Sequence, residues 1–229
     1  KPQRKRFAGE EAWQHRKEDI YPLHVQLFRA MRRHPFRLAF ADQTRPRVSC
    51  AEALAGTVIV ARRLVQRWDG QKFVGIMLPP SVGGALVNQA ASLSGRTSVN
   101  LNYTTGSAGL ESAVRLAGLR TVVTSRLFVE KVGLDLPNGA ETLWLEDLLS
   151  SVGRMERVSA FLLGLFCPVL WLEKRFAARR VRMDDPATVI FSSGSTGEPK
   201  GVVLSHFNIG SNVAAINQVL PQAHNDRLL

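Results

Sequence analysis

Apolar and polar residues first follow a helical period. From Ile20 onward, apolar residues recur three or four positions apart, and His34-Pro35 ends the pattern because a residue before proline disfavours helical geometry. The apolar face of this predicted helix consists of Leu23, Leu27, Phe28 and Met31. After a short predicted strand, LAFAD, a second helix is predicted over SCAEALAGTVIVARRLVQRW, where Ser49 and Glu52 have the spacing of a capping box.

From residue 72 the pattern alternates between short β-rich runs and longer helical runs. The predicted strands are KFVGIML, TSVNL, RTVVTS and ETLWL, with helices predicted over 81–94, over 108–117 and from Arg126. Strands that alternate with helices favour right-handed βαβ units. The predicted fold class is therefore α/β, with a mostly parallel sheet covered by helices.

One uncharged segment, VSAFLLGLFCPVLWL at 158–172, interrupts this alternation. It is too short to cross a bilayer core of about 30 Å, and Pro168 breaks it. Basic residues flank it on both sides: Arg154, Arg157, Lys174, Arg175, Arg179, Arg180 and Arg182. Two interpretations of this apolar and basic insert, 154–182, are open: a buried core helix followed by a solvated basic face, or an in-plane contact with an anionic membrane surface.

Composition narrows the classes of partner. The 229 residues are 45% hydrophobic and 21% charged, as in ordinary globular proteins, but the net charge of +11 favours phosphates, acidic proteins, anionic membranes or nucleic acid. Nucleic acid is not expected, because aromatic residues make up only 7% and no RRM, KH or zinc pattern occurs. The two cysteines have no disulfide or metal spacing, so a reducing compartment on the cytoplasmic side is expected.

The most informative stretch is SSGSTGEPKG, 192–201, between the predicted strands ATVIF and VVL. Glycines allow backbone N–H groups to converge on an anion, the hydroxyl groups add donors, and Lys200 adds a full positive charge. This chemistry suits a polyphosphate. His206, which follows the second strand, is expected to cap the chain locally.

Better-known loops of this type do not fit the stretch. A Walker A loop places Gly-Lys-Ser/Thr at a helix start, whereas Lys200 follows Pro199 and precedes Gly201. The dinucleotide glycine spacing is absent, and Gly194 and Gly197 bracket two residues rather than the three of a nucleophile elbow.

FSSGSTGEPKG, 191–201, resembles the phosphate-binding signature of the adenylate-forming superfamily, which includes acyl-CoA synthetases, luciferases and adenylation domains of peptide synthetases. The segments GIMLPPSVGGALVNQAASLSG and DDPATVIF occur in the order expected of that family. Within it, the NYT at 102–104, the TSR at 124–126 and the long insert before the loop resemble the acyl-[acyl-carrier-protein] synthetase half of bacterial 2-acylglycerophosphoethanolamine acyltransferases.

The resemblance implies a two-step reaction. A fatty acid attacks ATP to give acyl-AMP and pyrophosphate, with Mg²⁺, and a phosphopantetheine thiol of acyl carrier protein or CoA then takes the acyl group. The implied phosphate cradle consists of Ser193, Gly194, Ser195, Thr196, Gly197 and Lys200. Thr196 and Lys200 are the implied catalytic residues, while the metal ligands stay unknown. A link to lysophospholipid reacylation is implied as well.

The same resemblance predicts the domain organisation. Residues 1–19 are expected to form a basic linker or solvated helix, and 20–229 an incomplete N-terminal portion of the adenylation domain, because the chain starts at Lys1 and ends at DRLL without obvious boundaries. The acyl pocket, a Mg²⁺-binding glutamate, a ribose-binding aspartate and a lysine of a C-terminal domain would lie downstream. We therefore expect the isolated chain to form no acyl-AMP.

Two alternatives differ from this function. The first is a long-chain acyl-CoA ligase, which assays with CoA and acyl carrier protein would distinguish. The second is a basic membrane- or nucleic-acid-binding module without catalysis, which salt-sensitive DNA retention without ATP binding would favour.

Overall fold

The computed structural model describes residues 21–192 and 200–219. The helices are α1 (Leu23–Arg33), α2 (Cys50–Leu64), α3 (Val82–Leu93), α4 (Gly106–Ala117), α5 (Arg126–Val132), α6 (Leu145–Ser150), α7 (Arg154–Phe166), α8 (Val169–Phe176) and α9 (His206–Val219). The strands are β1 (Leu38–Phe40), β2 (Val48–Ser49), β3 (Phe73–Ile76), β4 (Thr97–Asn100), β5 (Thr121–Thr124), β6 (Glu141–Trp144), β7 (Pro186–Ser192) and β8 (Lys200–Ser205). A single 3₁₀ turn at Tyr103–Thr105 precedes α4.

Six strands form the main sheet in the order β6-β5-β3-β4-β7-β8. The first five strands in this order are parallel, and β8 runs antiparallel to β7. The predicted α/β class and mostly parallel sheet are confirmed. The short strands β1 and β2 form a separate antiparallel pair in front of α2.

Apolar side chains from alternate positions of the strands build two cores, one on each face of the sheet. Val74 and Val123 join the larger core, with α1, α2, α3, α7 and α8. Val99 and Val122 point to the opposite face and join the smaller core with α4. Because neighbouring strand residues face opposite sides, the buried strand runs of this sequence supply both cores at once.

Local signals in the sequence explain the start of α2. The Ser49 hydroxyl accepts a hydrogen bond from the Glu52 backbone N–H at 3.3 Å, and the Glu52 carboxylate accepts one from the Ser49 N–H at 2.7 Å. This is the predicted capping box, which satisfies two backbone donors at the helix end.

The apolar insert differs from a single buried core helix. It divides at Cys167-Pro168 into α7 and α8, and only α8 buries large apolar side chains: Val169, Leu172 and Phe176. On α7 the buried residues are the small Ala160 and Gly164. A Cβ at Gly164 would lie 3.1 Å from the Leu54 backbone carbon, so α7 packs closely on α2 through its small residues. The core-helix interpretation therefore holds for one side of α7, where Ala160, Leu163 and Leu165 join or pack against the large core, and fails for the exposed other side.

Within the described ranges, none of the helices combines the length and hydrophobicity needed to cross a membrane.

Both cysteines, Cys50 and Cys167, are free thiols.

Candidate functional site

The candidate loop closes a hairpin between β7 and β8. Ser192 and Lys200 are direct partners in this antiparallel pair, followed by Phe191 with Gly201. Directly opposed residues lie about 4.5–5.5 Å apart, so the ends of the intervening loop are held side by side. The predicted cradle residues Ser193, Gly194, Ser195, Thr196 and Gly197 lie outside the described residues.

The sheet topology places this loop at a favourable edge. β7 is parallel to β4, so Ser192 lies at the same edge as the carboxyl ends of β3, β4, β5 and β6. In open α/β sheets, ligands bind in the crevice outside the carboxyl ends of the strands. The fold therefore presents the loop where such a ligand site is expected.

Lys200 is the one predicted site residue within the described part of the chain. It begins β8 and its side chain is exposed. Opposed residues of an antiparallel pair point to the same face, so Lys200 shares a sheet face with Ile190 and Val202. An ammonium group on a flexible stem at this position can reach a phosphate beside the loop.

A polar network beside the hairpin was not found from the sequence. The amides of Asn88, on α3, and Asn100, at the end of β4, exchange two hydrogen bonds of 3.0 Å. The Thr188 hydroxyl donates to the Ser98 carbonyl at 3.0 Å, and the Ser98 hydroxyl donates to Thr188 Oγ1 at 3.1 Å. These bonds fix β7 against β4 and so fix the base of the hairpin. In the sequence, the pattern that could have indicated this network is the pair of polar residues Ser98 and Asn100, which lie on either side of Val99 in TSVN.

The NYT and TSR segments have structural contacts at the same edge. Asn102 Oδ1 accepts hydrogen bonds from the Thr104 N–H and hydroxyl at 3.0 and 2.8 Å. Ser125 caps α5 and donates to Glu146 at 2.6 Å. Burial tends to raise the pKa of Glu146, but the Ser125 hydrogen bond and nearby backbone N–H groups hold it below its usual range. These residues shape the turns that follow β4 and β5.

At the same edge of the sheet, Arg126 forms an ion pair with Asp147. Its two Nη atoms donate to the two carboxylate oxygens at 2.6 and 2.7 Å. This side-chain hydrogen bonding lowers the pKa of Asp147 below its usual range. Because both partners are exposed, the pair orders the turn more than it stabilises the fold.

The other end of the hairpin is anchored by a buried pair of histidines. His206, the first residue of α9, accepts a hydrogen bond at Nδ1 from the Leu23 N–H of α1 at 3.2 Å. Its ring meets the His24 ring edge-on, with centroids 6.2 Å apart. The expected local capping role is wrong: His206 caps α1, which lies 183 positions away in the sequence.

His24 extends this anchor to α3 and α8. Its Nε2 lies 3.0 Å from the Glu173 carboxylate, and its Nδ1 lies 3.3 Å from the Ser92 hydroxyl. Glu173 also accepts a hydrogen bond from the Val181 N–H at 2.8 Å. We call His24, Glu173 and His206 the anchor cluster, which ties the hairpin to three helices of the large core.

Comparison with known proteins identifies the family. The family model described as AMP-binding enzyme matches residues 27–229. The chain belongs to the AMP-binding enzyme family. It is 26% identical over 201 residues to the 4-coumarate–CoA ligase of Pinus taeda, covering 86% of this chain and 35% of that enzyme. It is 31% identical over 112 residues to the mitochondrial medium-chain acyl-CoA ligase ACSF2 of Mus musculus, covering 49% and 14%.

A solved AMP-binding structure has the same fold. O-succinylbenzoate coenzyme A synthetase (MenE) from Bacillus subtilis, in complex with AMP, superimposes with a TM-score of 0.65 at 19% identity, covering 90% of this chain and 48% of that one. The chain thus spans about a third of the pine ligase and about half of this structure.

The groups present in this AMP-binding chain fit a polyphosphate. An exposed Lys200 at the carboxyl edge supplies positive charge, and the sequence between the paired residues Ser192 and Lys200 is rich in glycines and hydroxyls. A site for Mg²⁺ requires its own group of ligands. Among residues 21–192 and 200–219, no three His, Cys, Asp or Glu side chains form a group suited to a metal ion. The predicted Mg²⁺ is therefore given no ligand here.

The anchor cluster gives the AMP-binding domain a specific acid sensitivity. Burial, with a smaller contribution from His24, lowers the pKa of His206 from its ordinary 6.5 to about 4, against the opposing effects of Asp185 and Glu173. Between these values the unfolded chain binds a proton that the folded chain excludes. The free energy of unfolding therefore has its full value above pH 6.5 and falls as the pH drops toward about 4.

We expect His206→Asn to flatten this dependence. At about 1.4 kcal/mol per pKa unit, the titration contributes roughly 3 kcal/mol, and asparagine keeps an acceptor without titrating. Urea unfolding from pH 6.5 down to about pH 4 measures the slope. His34→Asn, at an exposed histidine, is the matched control and should follow the wild-type curve. Equal slopes for all three proteins would contradict the assignment.

Proposed function

We propose that the protein is an ATP-dependent acyl-activating ligase that converts a fatty acid to acyl-AMP and passes the acyl group to a phosphopantetheine thiol. The observation that supports this most directly is the hairpin. Its paired strand ends, Ser192 and Lys200, lie at the carboxyl edge of the sheet of an AMP-binding family chain, and the SGSTG residues follow Ser192 in the sequence.

The first half-reaction requires charge stabilisation more than acid–base chemistry. A carboxylate oxygen attacks the α-phosphorus, the α–β bridging bond breaks, and pyrophosphate leaves with the bonding electron pair. Negative charge grows on the β- and γ-phosphates during this step. Donors aimed at that charge lower the barrier without covalent participation.

The chain's own groups have distinct tasks in this step. Backbone N–H groups and hydroxyls of Ser193, Ser195 and Thr196 would hold the pyrophosphate portion, and Lys200 would neutralise part of its charge. Gly194 and Gly197 would allow the backbone to approach the phosphates closely. The strand pairing of Ser192 with Lys200 supports this arrangement, because it keeps the ammonium group beside the loop.

The second half-reaction transfers the acyl group from acyl-AMP to a thiol, and AMP leaves. We propose acyl carrier protein as the acceptor, with a link to lysophospholipid reacylation. The net charge of +11 supports this choice, because a basic surface steers an acidic carrier protein by long-range attraction. The names of the pine and mouse relatives support CoA instead, so a CoA ligase is the second candidate.

Assays of the complete protein test both half-reactions. We expect pyrophosphate to exchange into ATP only when a fatty acid is present, and thioester to form faster with phosphopantetheine-loaded carrier protein than with CoA. Faster thioester formation with CoA would replace the acceptor and keep the activation step. Absence of acid-dependent exchange with aliphatic and aromatic acids alike would contradict the proposed function.

A further inference from the structure

Seven large apolar side chains are exposed on the consecutive helices α7 and α8. Exposed fractions are 81% for Met155, 50% for Val158, 37% for Phe161, 51% for Leu162, 75% for Phe166, 48% for Leu170 and 52% for Trp171. Isolated exposed apolar residues are ordinary, but seven within positions 155–171 are a dense set, and large exposed apolar patches mark interaction sites. We call these residues the apolar ridge.

The spacing of the ridge residues on α7 matches the period of an α-helix. Met155, Val158, Leu162 and Phe166 are three or four positions apart, which places them along one side of α7. The opposite side carries Ala160 and Gly164, which pack on α2. Met155, Val158, Leu162 and Phe166 therefore lie on the exposed side of α7, whereas Leu163 and Leu165 are half-buried and pack against the large core.

Polar contacts hold α7 in this orientation. Arg62 donates to the Ser159 hydroxyl at 2.8 Å, and Arg63 pairs with Glu156 at 2.6 Å. At the other end, the Arg32 guanidinium donates to the carbonyls of Gly164 and Cys167 at 2.8 and 2.6 Å. These bonds satisfy helix-end carbonyls and fix the bend between α7 and α8. The ridge is thus a supported surface of the fold.

The exposed charges of the insert next to the ridge in the sequence have one sign. Arg154 and Arg157 are exposed at its start, and Lys174 and Arg175 are exposed at its end. The insert contains two acidic residues, and neither offers a free charge: Glu156 pairs with Arg63, and Glu173 is buried in the anchor cluster. Cations beside an exposed apolar surface match the uniform negative charge of an anionic membrane surface.

We propose that the apolar ridge and its flanking cations dock the protein in the plane of an anionic phospholipid bilayer. Met, Leu, Phe and Trp side chains enter the boundary between headgroups and acyl chains, while the four cations contact lipid phosphates. Such a contact needs no membrane-spanning helix. This inference is independent of the proposed enzymatic function, since it rests on the surface of α7 and α8 alone.

The test measures partition of the full chain onto vesicles. We expect stronger binding to vesicles of equal parts phosphatidylglycerol and phosphatidylcholine than to phosphatidylcholine alone, with a decrease at high salt. The double variant Lys174→Gln/Arg175→Gln should lose about fivefold in partition for each cation removed. Leu162→Gln should lose about fivefold to tenfold. Arg179 is not used, because it pairs with Asp185.

Matched controls lie on the opposite sheet face. Leu116→Gln changes a leucine of similar exposure, 55%, on α4, and Lys131→Gln removes an exposed cation from α5. Both should bind like the wild type. A direct readout is quenching of tryptophan fluorescence by lipids with brominated acyl chains, which should be largely lost in Trp171→Phe.

Three results would overturn the proposal. The first is equal binding to anionic and neutral vesicles. The second is an equal loss for ridge and control variants. The third is self-association that Leu162→Gln abolishes, together with no bromolipid quenching, which would assign the ridge to a second copy of the chain.

Discussion

Replacing Lys200 with alanine should slow acyl-AMP formation in the complete protein by about 10²–10³-fold, the usual effect of removing one preorganised donor to a developing anion. Lys200 begins β8 beside the loop, so its ammonium group can follow the phosphates as charge grows on them. Thr196→Ala should have an effect of the same order. Pyrophosphate exchange measures both.

The second half-reaction is the internal control for these variants. Transfer from preformed acyl-AMP to the thiol involves no pyrophosphate, so it should be much less affected. Single-turnover thioester formation measures it. Lys131→Ala, at an exposed lysine of α5, should leave both half-reactions unchanged. If Lys200→Ala damaged both half-reactions equally, the loop would support the fold rather than the phosphates.

Replacing Glu173 with alanine should lower the free energy of unfolding by about 3–5 kcal/mol, as expected when one partner of a buried polar pair is removed. Glu173 is 3% exposed, and its loss leaves His24 Nε2 and the Val181 N–H without their acceptor. Burial tends to raise the pKa of Glu173, but the His24 and Val181 hydrogen bonds hold it below its usual range. Chemical denaturation measures the change.

Two further variants calibrate this effect. Glu173→Gln keeps an acceptor of the same shape and should lose less stability than the alanine variant. Glu141→Gln removes an ion pair with Arg67 in which both side chains are 58% exposed, and should change stability by at most about 1 kcal/mol. Equal effects at Glu173 and Glu141 would show that the anchor cluster adds nothing to stability.

Much of the fold could be predicted because its signals are local. The strands of the parallel sheet, the capping box at Ser49 and the strand after Lys200 each depend on a few neighbouring residues. Strand order and the antiparallel direction of β8 depend on distant pairings that no local pattern encodes. The roles of His206 and Glu173 were missed for the same reason, since their partners lie 183 and 149 positions away.

The insert shows a second limit of sequence patterns. Hydrophobicity marks Leu162 and Leu172 alike, yet one is half exposed and the other is fully buried. On α7, the small residues Ala160 and Gly164 form the side that packs on α2, so Leu162 on the other side stays exposed. At the candidate site, the assignment of Ser193 to Gly197 stays a prediction from the sequence, and the structure adds the strand pairing and the exposed Lys200 that flank them.

The pairing of Ser192 with Lys200 means that folding and anion binding place separate requirements on the loop between them. The strands already bring its ends together, and closing a longer loop costs only about 0.6 kcal/mol for each doubling of its length. Folding therefore places little constraint on the amino-acid sequence of the loop. Its length and its composition are left for the proposed anion to select, so a substitution within the loop should affect phosphate binding more than stability.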